Sequence, residues 1–190
     1  STPVDNLYVE SYFIKYIKEE IIPQISVVGN QEVTIVSPDE GGVKRAVRIA
    51  GKLGLSTTII YKERSKANEI SHMRVLGDVK DNICVLVDDI IDTAGTACYA
   101  AKILKQAGAD KIFMLACHGI FSNGGIKRIQ ESNFDKVIVT NTLPQDKHSE
   151  KIRNYKCKNI DYIDVSWLCA EAMRRSYNGE SLTELYDKNT

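Results

Sequence analysis

Short apolar runs recur along this chain at Val33–Val36, Thr57–Tyr61, Ile83–Val87, Ile112–Cys117, Val137–Thr140 and Ile160–Val165, and they constrain its fold more than any other feature. They are rich in valine and isoleucine, and several are apolar on consecutive positions. A strand wetted on one side alternates; one buried on both faces does not, and such burial marks a parallel sheet covered by helices. The segments between the runs have helical spacing. Val43, Val47, Ile49, Ala50 and Leu53 form one apolar stripe; Ala97, Ala100, Ala101, Leu104 and Ala107 form another, followed by Gly108 as a stop signal. Tyr12–Ile25 reads as an opening helix and Trp167–Tyr177 as a closing one. The expected fold class is therefore α/β, with a mainly parallel central sheet and helices on both faces. Ligands of such sheets bind at the carboxyl ends of the strands. The informative loops are then those after Val36, Tyr61, Val87 and Cys117.

The 190 residues can bury a substantial core, and no linker or repeat divides them, so one domain spanning 1–190 is expected. A formal net charge of zero gives no field that would favour nucleic acid or an anionic membrane. No apolar stretch reaches membrane-spanning length, and no signal-peptide pattern opens the sequence. The cysteines (Cys84, Cys98, Cys117, Cys157, Cys169) are scattered without a Cys-x-x-Cys pair, which points to reduced thiols and a cytoplasmic setting. Glu63–Gly77 is long, polar and charged, and reads as a loop.

The densest chemistry lies in Ile83–Thr96. A buried strand ends in Asp88 and Asp89; Asp92 follows, then Thr93-Ala94-Gly95-Thr96 and an alanine-rich helix. Backbone N–H groups at a helix N-terminus lack helical partners and favour anions. Gly95 permits close approach, and the threonine hydroxyls add donors, so the turn is a phosphate cradle. Carboxylates would repel that phosphate and must instead face hydroxyls or a metal. A sugar phosphate satisfies both requirements. The plainer alternative is a helix capped by Asp92 or Thr93 beside a solvated acid pair.

This unit resembles the phosphoribosyl-binding motif of the type I phosphoribosyltransferase family. The resemblance implies that Asp88 and Asp89 bind ribose hydroxyls, that Asp92 sits near the reacting carbon, and that Thr93, Ala94, Gly95 and Thr96 hold the 5-phosphate. Further stretches resemble the ribose-phosphate pyrophosphokinases within that fold family. In Val36-Ser-Pro-Asp-Glu-Gly-Gly-Val-Lys-Arg45, Asp39 stands where the family binds Mg²⁺, and Glu40 departs from the family's usual alanine. In Tyr61-Lys-Glu-Arg-Ser-Lys-Ala-Asn-Glu69, Lys62 and Arg64 match the pair that stabilises the diphosphoryl group in flight. Without the resemblance, that run reads as a solvated loop. His118-Gly-Ile-Phe-Ser122 and Val139-Thr-Asn-Thr-Leu-Pro144 match loops near the family's active site, with no catalytic role read for His118. Near the C-terminus, Ser181, Thr183 and Tyr186 match positions bordering a regulatory site.

The implied enzyme is a ribose-phosphate diphosphokinase that uses ATP, Mg²⁺ and ribose 5-phosphate and works as a homo-oligomer. Family members carry two such domains and this sequence matches the second, so the chain is expected to be inactive alone. No Gly-x-x-x-x-Gly-Lys-[Ser/Thr] loop replaces the missing nucleotide site; Ala46–Leu53 lacks its first glycine and hydroxyl. The rival readings are a nucleobase phosphoribosyltransferase and a non-catalytic, synthetase-associated regulatory subunit.

Overall fold

Strands that are apolar on both sides need cover on both faces, and the chain supplies it. The computed structural model describes residues 2, 4–26, 30–63, 72–144 and 157–187, and only the backbone of Lys62, Glu63, His72, Tyr186 and Asp187. Its strands are β1 (Val33–Ser37), β2 (Ser56–Glu63), β3 (His72–Leu76), β4 (Ile83–Ile91), β5 (Lys111–Gly119), β6 (Lys136–Thr140) and β7 (Ile160–Ile163). They form a seven-stranded sheet in the order β3-β2-β1-β4-β5-β6-β7. Every neighbouring pair is parallel except β2–β3. The helices are α1 (Glu10–Tyr16), α2 (Val43–Leu53), α3 (Gly95–Gln106), α4 (Gly125–Gln130), α5 (Ser166–Asn178) and α6 (Glu184–Asp187). The expected α/β class is borne out.

Strand β4 shows how consecutive apolar residues serve two cores. Ile83, Val85 and Val87 pack with Phe13 and Ile17 near the N-terminus and with Ile49 of α2. Cys84 and Leu86 point the other way, toward Ala100 and Leu104 of α3 and Ile126 of α4. Each fully buried Ile or Leu contributes roughly 1.5–3 kcal/mol, so both helical layers are held chiefly by the sheet. A third, smaller cluster joins Leu168 and Ala172 of α5 to Leu185 of α6.

Several expectations need correction. Glu63–Gly77 is not all loop: β3 pairs antiparallel with β2 from His72↔Glu63 to Leu76↔Ile59. Met73 and Val75 pack on the core while Arg74 and Leu76 are exposed, the alternation of an edge strand. The opening helix starts earlier, at Glu10, and passes through a π-turn (Ile17–Ile21) and a 3₁₀ turn (Ile22–Gln24). Pro23 cannot donate to Glu19, and the wider turn ahead of it accommodates the ring. Val47 is 53% exposed although it lies in the expected stripe of α2; Ala46 is buried instead. Ala107 falls outside α3 and is exposed. The last strand ends at Ile163, because the Asp164 carboxylate accepts the N–H of Ser166 (2.8 Å) where α5 begins. All five cysteines are free. No helix among the described residues is long and apolar enough to cross a membrane.

Candidate sugar-phosphate site

The sheet reverses direction between β1 and β4: from β1 the chain proceeds outward to β2, and from β4 it proceeds the other way to β5. At such a switch point the two crossovers leave on opposite sides and open a crevice at the carboxyl ends of the strands. The loops after β1 and β4 flank it. Register deepens the crevice. The last β1–β4 pair is Val36↔Leu86, so β4 continues from Val87 to Ile91 without a β1 partner. Asp88 and Asp89 lie on that projecting segment; the strand, expected to end in them, runs on to Ile91.

Beyond Ile91 the chain turns through Asp92, Thr93 and Ala94 into α3. Ala94 has φ +60°, a left-handed conformation that costs an L-residue energy and turns successive N–H groups toward one side. The α3 N-terminus follows at once, with Gly95 and Thr96 in its first turn. The turn is supported from behind by α4 and the segment leading to it. Ser122 Oγ donates to the Asp92 carboxylate. Arg128 Nη1 donates to the carbonyls of Thr93 (2.8 Å) and Asn123 (2.9 Å). Gly125 lies so close that a Cβ there would stand 2.9 Å from the Asp92 carbonyl oxygen.

The acid pair is held from α2. Arg45 Nη1 lies 3.0 Å from Asp88 Oδ1, and Nη2 lies 3.4 Å from Asp89 Oδ2. The Asp89 N–H also donates to Asp88 Oδ1 (2.8 Å). Burial pushes the Asp88 carboxyl up to about 6, and its hydrogen bond to the Asp89 carboxyl adds to this; the Asp89 N–H and Arg45 oppose it. Desolvation of Asp89 is outweighed by its bond to Asp88 and by Arg45, so its carboxyl is held below the usual range. The two acids titrate as a pair, with the more buried Asp88 keeping a proton longer.

Across the crevice, Asp39 closes its own turn. Its Oδ1 accepts the Gly42 N–H (2.9 Å), and Ser37 Oγ donates to its carbonyl (2.6 Å). Asp39 and Glu40 are both exposed. No group of three or more His, Cys, Asp or Glu suited to a metal occurs among the described residues.

The structure thus brings Asp39, Asp88, Asp89, Asp92 and Thr93–Thr96 to one end of two adjacent strands. Lys62 is on the penultimate position of β2, opposite Met73, and its side chain lies outside the described residues, as does Arg64 altogether. His118 is the penultimate residue of β5, with Nδ1 bonded to Thr142 Oγ1 (2.8 Å), a structural hydrogen bond. Ser181 and Thr183 are exposed beside the third cluster, and the Ser181 carbonyl accepts from Arg175 (2.8 Å); the Tyr186 side chain lies outside the described residues. A cleft of about 950 Å³ opens at the opposite, amino-terminal ends of the strands. There Gln31 Nε2 donates to the Asp81 carbonyl (2.9 Å) and the Asp110 carboxylate (2.8 Å), and Lys105 Nζ donates to the Asp110 carbonyl (2.7 Å). Arg45, Ser122, Gly125 and Arg128 carry no role in the sequence reading. Their signal is contact across the fold, which no local pattern displays.

Over residues 64–187 the chain matches the family described as phosphoribosyl synthetase-associated domain. It is similar to the phosphoribosylpyrophosphate synthetase of Mycobacterium smegmatis, with 31% identity and a TM-score of 0.79 over 93% of this chain. It spans only 53% of that protein's length. An orotate phosphoribosyltransferase from Aeropyrum pernix aligns at 17% identity and a TM-score of 0.52, over 75% of each chain. An adenine phosphoribosyltransferase aligns at 15% identity and a TM-score of 0.52, over 69% of this chain and 76% of the other. These two distant likenesses bear on the fold alone, and they share it. The chain belongs to the phosphoribosyl synthetase-associated family, on a type I phosphoribosyltransferase fold that it shares with a phosphoribosylpyrophosphate synthetase.

Proposed function

We propose that this chain is the ribose 5-phosphate-binding part of a ribose-phosphate diphosphokinase. The observation that carries the reading is the convergence at the switch point of a turn at a helix N-terminus and a pair of adjacent carboxylates, which suit a phosphate and vicinal hydroxyls respectively. Thr93–Thr96 hold the 5-phosphate, Asp88 and Asp89 accept the ribose hydroxyls, and Asp92 lies toward the reacting carbon. The C1 hydroxyl attacks the β-phosphorus of ATP in line; the bond from that phosphorus to the bridging oxygen breaks, AMP leaves, and the hydroxyl proton passes to solvent. Catalysis of this kind rests on positioning and charge stabilisation. Lys62 and Arg64 supply the latter, an effect of about 3–4 kcal/mol for a well-placed donor.

One carboxylate with an oxygen already committed to its own turn fits Mg²⁺ only in company with ligand phosphates and water, which is how that ion is commonly held. Asp39 would hold it, and the ion would supply charge neutralisation at the phosphates. The ATP site lies largely in a further domain and a neighbouring subunit of a homo-oligomer.

Calorimetric titration with ribose 5-phosphate, with and without Mg²⁺ and ATP, tests the reading. Binding is expected, with AMP release from ATP only in a longer protein that includes the partner domain. In that protein, Lys62→Ala should lower turnover far more than ribose 5-phosphate affinity; equal loss of both would remove Lys62 from the reaction. The family description favours a second reading, a synthetase-associated regulatory subunit. Ribose 5-phosphate binding without AMP formation in the longer protein would establish that one instead.

A further inference from the structure

Arg45 makes bonds that the proposed chemistry does not yet use. It is the third residue of α2, in the turn where the helix dipole disfavours a cation. Helix stability therefore does not account for its place. Its guanidinium forks across both acids of β4, at 3.0 and 3.4 Å. On Asp88 it shares Oδ1 with the Asp89 N–H, so two donors fix one oxygen and with it the plane of the carboxyl. The Arg45 side chain is only 25% exposed, and Asp88 only 27%, whereas Asp89 is 67% exposed. The arginine thus holds the inner acid and steadies the outer one from the side away from solvent.

The same helix is preceded directly by Gly42, whose N–H is bonded to Asp39. A rigid path of three residues consequently joins the loop after β1 to the acids of β4.

We infer that Arg45 is a positioning residue of the sugar subsite: it orients the Asp88–Asp89 pair for hydroxyls and ties that pair to the loop carrying Asp39. The inference rests on the sugar-phosphate reading above and adds the residue that organises its polar half. Arg45 acts through the carboxylates and not on the phosphate, which the Thr93–Thr96 turn holds independently. An ordinary exposed ion pair would make a different prediction, a small change in stability and none in selectivity.

The test compares two probes, ribose 5-phosphate and inorganic phosphate, by calorimetry on the chain and its variants, with thermal melting to confirm folding. Arg45→Gln should weaken ribose 5-phosphate about tenfold, the loss equivalent to one misaligned hydrogen-bonded pair. Inorganic phosphate should bind it within about twofold of the unaltered chain, since only a factor of ten marks 1.4 kcal/mol. Arg45→Lys keeps the charge but not the fork and should recover part of the affinity. In an Asp88→Asn, Asp89→Asn background, Arg45→Gln should change ribose 5-phosphate binding no further. Unchanged ribose 5-phosphate affinity in Arg45→Gln, or equal loss of both probes, would overturn the inference while leaving the site itself standing. Failure of the unaltered chain to bind ribose 5-phosphate would overturn the sugar-phosphate reading, and the inference with it.

Discussion

The loops after β1 and β4 lie side by side and are made firm by different means. Side chains hold the first: the Asp39 carboxylate closes the turn onto Gly42, and the Ser37 hydroxyl holds the Asp39 carbonyl. The second has side-chain bonds too, from Ser122 and Arg128, but backbone wedges it as well: Ala94 sits at positive φ, and the Asp92 carbonyl lies against Gly125 of α4. Each loop also abuts a glycine with no room for a Cβ, but the obstacles differ. At Gly42 the nearest atom is the Ser37 hydroxyl at 2.7 Å, which can rotate away; at Gly125 it is a carbonyl oxygen at 2.9 Å, which cannot. A turn held by side chains can yield to a ligand that needs its oxygens, whereas one wedged by backbone keeps its shape for a ligand of fixed form.

The largest expected effect follows from that wedge. Gly125→Ala should destabilise the chain by about 2–3 kcal/mol in urea unfolding, in the range of forced overpacking, and weaken phosphate binding as the turn shifts. A loss under about 0.5 kcal/mol would mean the β4 turn is as compliant as its neighbour. Next comes Asp88→Asn. The folded-state carboxyl titrates near 6, above its unfolded value, so its contribution to stability is fully present in acid and is lost as pH rises through about 6. The variant should therefore be more stable than the parent by about 1–2 kcal/mol at pH 7.5. The advantage should shrink toward pH 4, as read by unfolding at several pH values; a constant difference would place the cost elsewhere.

Asp39→Ala should cost about 1 kcal/mol, one charge-assisted bond to an exposed turn, without altering binding of inorganic phosphate at the other loop. Smallest of all, Gly42→Ala should cost less than about 1 kcal/mol, and Ser37→Ala in the same chain should remove most of that cost by deleting the hydroxyl in the way. Persistence of the full cost would show that the first loop, too, is backbone-limited.

What could be read in advance divides along the same line as the two loops. Strand runs such as Ile83–Val87 announce the sheet because burial on both faces leaves a continuous local pattern. Thr93–Thr96 could be placed at a helix start because its chemistry is also local. Strand β3 was hidden: an edge strand needs only one apolar face, and Met73 and Val75 alternate with residues free to be polar. Arg45 was hidden for another reason. It is 43 residues from Asp88, and nothing in Val43-Lys44-Arg45 states which strand the third residue will reach. The extension of β4 through the acids was equally illegible, since polar residues inside a strand look like its end.

The reversal of strand order between β1 and β4 has a consequence of another kind. The crevice there is a product of the chain's route, and no single side chain creates it. Substitution can strip the site of its acids and cations one at a time, yet the opening persists as long as the protein folds at all. Chemistry on this scaffold is consequently easier to lose than shape. A lineage can shed turnover and still present the same notch to the molecules around it, so within one such family catalysts and their silent companions can share a single silhouette.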